Sequence, residues 1–103
     1  MSPTQRTLKE MRERGYLCEV VERFNAFSKT RKDLFGFGDV ACAGKGEFIL
    51  VQATSLGNVA ARVNKIANHE NVARVREAGI RVLVHGWGKD ANGRIRLREV
   101  DCS

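Results

Sequence analysis

The stretch DLFGFGDVACAGKGEFILVQATS, residues 33–55, decides how this chain is read. A short apolar run, Val40-Ala41-Cys42-Ala43, meets the turn Gly44-Lys45-Gly46, and the continuous apolar run Phe48-Ile49-Leu50-Val51 follows. Two apolar runs joined by a glycine-containing turn form a β-hairpin. The second run leads directly into Gln52-Ala53-Thr54-Ser55. Burying Gln or Thr without partners costs about 1–3 kcal/mol, so these side chains are expected to reach a cleft or a ligand. Strand alternation points Gln52 and Thr54 to one face. Pairing residues 40–43 with 48–51 brings Asp39, just after Gly38, close to Gln52 across the ladder. Asp39, Gln52 and Thr54 then make one polar cluster on an otherwise apolar sheet, and the function is placed there.

Before this stretch, residues 4–14 read as a helix, with Leu8 and Met11 on one face and Gly15 as its stop. Residues 16–24, YLCEVVERF, read as one strand. Its parity places Cys18, Val20 and Glu22 together, and Glu22 is the glutamate favoured to face inward. Residues 25–32, NAFSKTRK, form a polar, basic connector. It is either a solvated loop or a segment that follows a phosphate backbone, with Arg31 and Lys32 beside the polar cluster. Phe35 and Phe37 are expected to anchor this region to the core rather than to stack on bases.

After the central strand, Ser55 or Asn58 is suited to cap a helix. That helix buries Val59, Val63, Ile66 and Ala67 and carries Arg62 and Lys65 in its first turns, near Thr54. A second short helix over 71–78 stops at Gly79, and His69 between the helices reads as a surface residue. Residues 80–85 form a strand that leads to Trp87, with His85 expected to be a hydrogen-bonded structural histidine. After the turn at 90–93, Arg94-Ile95-Arg96-Leu97-Arg98 alternates as an edge strand whose charges discourage further pairing. The order α-β-β-β-α-β-β predicts an α/β layer on a small mixed sheet, with a crossover long enough for a parallel βαβ unit.

Length and composition bound the rest. The 103 residues are read as a single domain, 1–103, long enough for one core without disulfide staples. Cys18, Cys42 and Cys102 are widely spaced, with no zinc-type pairing, and read as small hydrophobic residues. No run approaches a membrane span and no leader segment is visible, which predicts an intracellular protein. The net charge of +6 suits a polyanionic partner.

The element order, Gly38-Asp39, the ILVQATS strand, the NVAARVNKI helix and the VLVHGW strand together resemble the PD-(D/E)xK nuclease superfamily. The likeness is to its small Holliday-junction-resolvase and VRR-type branches, including phage-type relatives. It implies a restriction-endonuclease-like core, a metal-dependent endonuclease acting on DNA, branched DNA included, and a homodimer in a bacterial or phage-infected cytoplasm. Asp39 matches the motif aspartate that binds Mg²⁺ or Mn²⁺. Gln52 stands at the motif's carboxylate position and Thr54 at its lysine position. Glu22 is the candidate to restore the missing carboxylate, and Lys65, with Arg62 beside it, the missing cation. The implied metal set is Asp39, Glu22 and Gln52, and the implied nucleic-acid contacts are Arg31, Lys32, Arg62 and Lys65. Two other readings compete with this one. The first is a nuclease-fold module that binds DNA without cutting it, and the second is a small interaction domain with no nucleic-acid role.

Overall fold

The computed structural model describes the whole chain, Met1–Ser103. Its elements in order are α1 (Pro3–Glu13), β1 (Leu17–Val20), β2 (Arg23–Asn25), β3 (Thr30–Lys32), β4 (Val40–Gly44) and β5 (Glu47–Ser55). A 3₁₀ turn (Leu56–Asn58), α2 (Val59–Ala67), α3 (Val72–Glu77), β6 (Ile80–Lys89) and β7 (Ile95–Asp101) complete it. Five strands form one mixed sheet in the order β1-β4-β5-β6-β7, in which only β5 and β6 are parallel. The α2–α3 segment makes the crossover that a parallel pair requires. No helix is long and apolar enough to cross a membrane.

The central hairpin has the expected register, with Val40 opposite Val51 and Ala43 opposite Phe48. Gly44 pairs with Glu47, leaving Lys45 and Gly46 as a two-residue turn, both at positive φ (53° and 74°). Those signs suit the twist of a tight hairpin. Alternation along β5 and β6 then builds two cores. Ile49, Val51 and Leu83 pack with Met11 under α1. Leu50, Val82 and Val84 pack with Val59, Ile66 and Val75 under α2 and α3. At Gly86 and Gly88 an added Cβ would run into Val59 and Leu56, so β6 can lie under the start of α2 only because these positions lack side chains.

Four local expectations are corrected. The strand over 16–24 breaks after Val20, and Arg23–Asn25 instead pairs with Thr30–Lys32 as a separate antiparallel hairpin. The connector at 25–32 is thus the tip and return strand of an arm. Phe37 is fully buried, but Phe35 sits at positive φ (57°) and is 46% exposed, so only one of the two phenylalanines anchors the core. Neither Ser55 nor Asn58 caps α2 through its side chain. Asn58 Nδ2 donates to Ser55 Oγ instead. Ala67 is exposed, and the buried face of α2 is formed by Val59 and Ile66.

The α1 layer is tied to the sheet by a buried polar chain. Trp87 Nε1 donates to Thr7 Oγ1 at 2.9 Å, Thr7 Oγ1 meets His85 Nδ1 at 3.0 Å, and His85 Nε2 meets Glu99 Oε2 at 2.7 Å. For a neutral His85 ring the donor inventory sets the directions. The Glu99 carboxylate accepts from His85 Nε2–H, the neutral ring's Nδ1 then accepts, and the Thr7 hydroxyl donates to it while accepting from the indole. Burial holds the His85 pKa below its ordinary value, against the pull of Glu99. The structural role expected for His85 is the one observed. Thr7→Val removes the central hydroxyl and leaves both ring nitrogens without it. A loss of about 2 kcal/mol is expected, measured as a lower urea midpoint with an unchanged slope.

Candidate metal and active site

The register of β4 on β5 places the first functional group. Asp39 lies one residue before β4, where its N–H donates to Val51 O at 2.9 Å and its Oδ2 accepts from Ala53 N–H at 2.8 Å. The carboxylate is thereby fixed at the open end of the sheet with its other oxygen unused by that bond. The β2–β3 arm places two more. Arg23 pairs with Lys32 at the base of the arm, so the flanking residues Glu22 and Asp33 stand at its two feet. Carboxylate oxygens of Glu22, Asp33 and Asp39 all lie within 4.8 Å of one another. Asp33 does not stand out in the sequence; its place in the cluster follows from the pairing of Arg23 with Lys32, which brings it beside Glu22.

The cluster opens into a cleft of ≈ 700 Å³ lined by Glu22, Arg31, Asp33, Asp39, Gln52, Thr54, Arg62 and Lys65, together with the start of α1. Asp39, Gln52, Thr54, Glu22, Lys65, Arg62 and Arg31 are thus brought together as expected. Lys32 is not. It faces a separate groove with its cross-strand partner Arg23, because neighbouring residues of β3 project to opposite sides. Two cations lean on the acids: Lys65 Nζ is 3.8 Å from Asp33 Oδ2, and Arg31 Nη1 is 3.8 Å from Glu22 Oε1. Both are too exposed for these contacts to contribute much stability.

Gln52 is 2% exposed and donates through Nε2 to Asp33 Oδ2 at 3.3 Å. The opposite amide orientation would set an oxygen against the Asp33 carboxylate, which favours this assignment. Gln52 Oε1 is left as the one buried side-chain polar atom without a hydrogen-bond partner. Such an orphan costs roughly 1–3 kcal/mol. Burial pushes the Asp39 pKa up to about 8, and the Asp33 and Glu22 charges add to that rise against the lowering effect of the Ala53 N–H. Three carboxylates this close make a hard-oxygen cluster that fits Mg²⁺ or Mn²⁺, and the Gln52 amide, with its unpaired oxygen, lies against one of them.

The proton on Asp39 has a consequence for stability. Between the ordinary carboxylate pKa and about 8, the folded chain holds a proton that the unfolded chain has released. Its contribution to stability is therefore complete at low pH and lost as the pH rises through that window. Asp39→Asn keeps an acceptor for Ala53 N–H and cannot ionise. In chelator, the variant is expected to exceed the native chain in stability by about 1–3 kcal/mol at roughly pH 8, with the gap closing toward about pH 4. Thermal melts across that range check it, and a gap independent of pH would show that ionisation is not its cause.

The chain matches no protein-family model, no curated protein and no solved structure, so the chemistry of the cleft rests on its own residues.

Proposed function

We propose that the cleft hydrolyses phosphodiester bonds in DNA with the help of a divalent cation. The observation that carries this reading is the donor set itself: three carboxylates within 4.8 Å of one another, beside a buried amide oxygen that has no partner in the protein. Asp39, Asp33, Glu22 and Gln52 Oε1 would hold the cation. When bound, Mg²⁺ or Mn²⁺ supplies Lewis-acid polarisation of the scissile phosphate and eases deprotonation of an attacking water.

The chain's own groups do the remainder. Asp39 is oriented by Ala53 N–H, and Asp33 by Gln52 Nε2. Lys65, reaching Asp33 from the exposed side of α2, presents an ammonium to charge that develops on the phosphoryl oxygens. It takes the role that Thr54 cannot perform, and Arg62 and Arg31 extend the positive rim toward the flanking phosphates. The sheet with α1, the parallel β5–β6 pair and the α2 crossover supports placing the chain with restriction-endonuclease-like cores, the β2–β3 arm being an addition to that order. Cutting both strands of a branched duplex requires two such clefts, and the proposal includes a homodimer for that purpose.

The second reading is a module that binds DNA without cutting it. It is favoured by the neutral Gln52 and Thr54 where the motif carries a carboxylate and a lysine. Purified protein incubated with linear, single-stranded and four-way-junction DNA, in Mg²⁺, Mn²⁺ or EDTA, separates the two. Metal-dependent cutting is expected, lost in Asp39→Ala and Asp33→Ala. Lys65→Ala is expected to reduce the cleavage rate by about 10²-fold or more while DNA affinity stays within a few-fold. Normal cutting by Lys65→Ala would remove Lys65 from the mechanism. Binding without cutting in any metal would establish the module instead.

A further inference from the structure

The β2–β3 arm carries features that the cleft does not use. Its strands pair only with each other, apart from the five-stranded sheet. Two aromatic rings stand on it in solvent: Phe27 at the tip is 101% exposed and Phe24 is 65% exposed. The tip is ordered by its own bonds. Asn25 Oδ1 accepts the Phe27 N–H at 2.9 Å, Ser28 Oγ lies 2.6 Å from Thr30 Oγ1, and Lys29 turns the chain at φ 54°. The ionisable residues between the feet are Arg23, Lys29, Arg31 and Lys32, all cations. Phe24 and the half-exposed Phe35 flank a groove of ≈ 720 Å³ that Arg23 and Lys32 also line.

Exposed rings interleaved with cations need a partner that offers both π-faces and regularly spaced negative charge. A second copy of this chain fits poorly, since arm against arm would set the same four cations against one another on a protein of net charge +6. A duplex offers phosphates, but its base faces are covered by stacking. An unpaired strand offers both. We propose that the β2–β3 arm binds single-stranded nucleic acid, with Phe27 and Phe24 stacking on unpaired bases and Arg23, Lys29 and Lys32 contacting phosphates. Glu22 and Asp33 are the feet of the arm, so a strand held there enters beside the carboxylates. The delivery step, and only that step, rests on the cleft being a nuclease site. The substrate class follows: DNA or RNA with unpaired nucleotides next to the phosphate to be cut.

Fluorescence anisotropy in EDTA tests the arm apart from any cutting. The probes are a labelled single strand, the blunt duplex of the same sequence, and that duplex with a single-stranded tail. Single-stranded and tailed probes are expected to bind tighter than the blunt duplex. Phe27→Ala should weaken both by about tenfold, the loss of one stacked base, and leave the duplex unchanged. Lys29→Ala should flatten the salt dependence of single-strand binding by roughly 0.7 in the log–log slope. Phe27→Trp should retain affinity, with its indole fluorescence quenched as the single strand is added. Equal binding of the single strand by Phe27→Ala and the native chain overturns the proposal. So does a loss equal for all three probes. Conversion of a dimer to a monomer by Phe27→Ala, with single-strand affinity intact, would assign the arm to contact between copies. Arm-dependent binding with no metal-dependent cutting would leave the arm standing and the nuclease reading rejected.

Discussion

The bond from Ala53 N–H to Asp39 Oδ2, at 2.8 Å, exists only because β4 runs antiparallel to β5 with Val40 opposite Val51. A slip of one residue would turn Asp39 to the other face of the sheet and place Val40 where the carboxylate now sits. The register is held by the Lys45-Gly46 turn and by the apolar side chains that alternate between the two cores. The same hydrophobic pattern that stabilises the sheet thus fixes the position of its least favourable group, a carboxylate 5% exposed beside two others. Binding sites commonly hold such arrangements, since a group that the protein alone cannot satisfy is free to be satisfied by a ligand.

The second constraint is the arm. Glu22 and Asp33 lie eleven positions apart, and they meet because the segment between them folds back on itself, Arg23 against Lys32. Two of the three carboxylates therefore depend on a structure outside the main sheet, whereas Asp39 and Gln52 depend on the sheet. Gln52 bridges the two parts by donating to Asp33. Repulsion among the three acids opposes that closure. Arg31 and Lys65, each 3.8 Å from one of them, offset part of it at exposed positions where the pairing energy is small. A divalent cation bound at the same place would offset far more, and would then link ordering of the arm's feet to occupancy of the cleft.

What the sequence disclosed follows from where the signals were strong. The β4–β5 register was legible because a glycine-containing turn and two apolar runs leave few alternatives, and the adjacency of Asp39 to Gln52 came with it. The edge position of β7 and the bonding of His85 were legible from clean alternation and from a histidine set among apolar neighbours. The arm was not. NAFSKTRK has neither the alternation nor the β-branched content that marks a strand, and its three-residue strands are held by local side-chain bonds at the tip. Missing the arm meant missing Asp33, and it left Glu22 assigned by strand parity rather than by its place at the arm's foot. Phe35 was misread for a related reason. Hydrophobicity predicts burial, but the backbone at φ 57° turns this ring away from the pocket that Phe37 fills.

The position of α2 joins these parts. Gly86 and Gly88 let the helix begin directly over the C-terminal half of β6, which runs parallel to β5 with Thr54 beside Gly86. From that start, Val59 and Ile66 face the core, and Arg62 and Lys65 fall on the side that overhangs the carboxylates. A lysine on β5 at the Thr54 position would have to bring its charge out from a site 6% exposed. Lys65 reaches the same acids from a helix surface where it is 40% exposed and its desolvation cost is low. Carried on the helix rather than on the strand, the cation stays at the cleft without being buried, and position 54 holds a β-branched, strand-compatible residue.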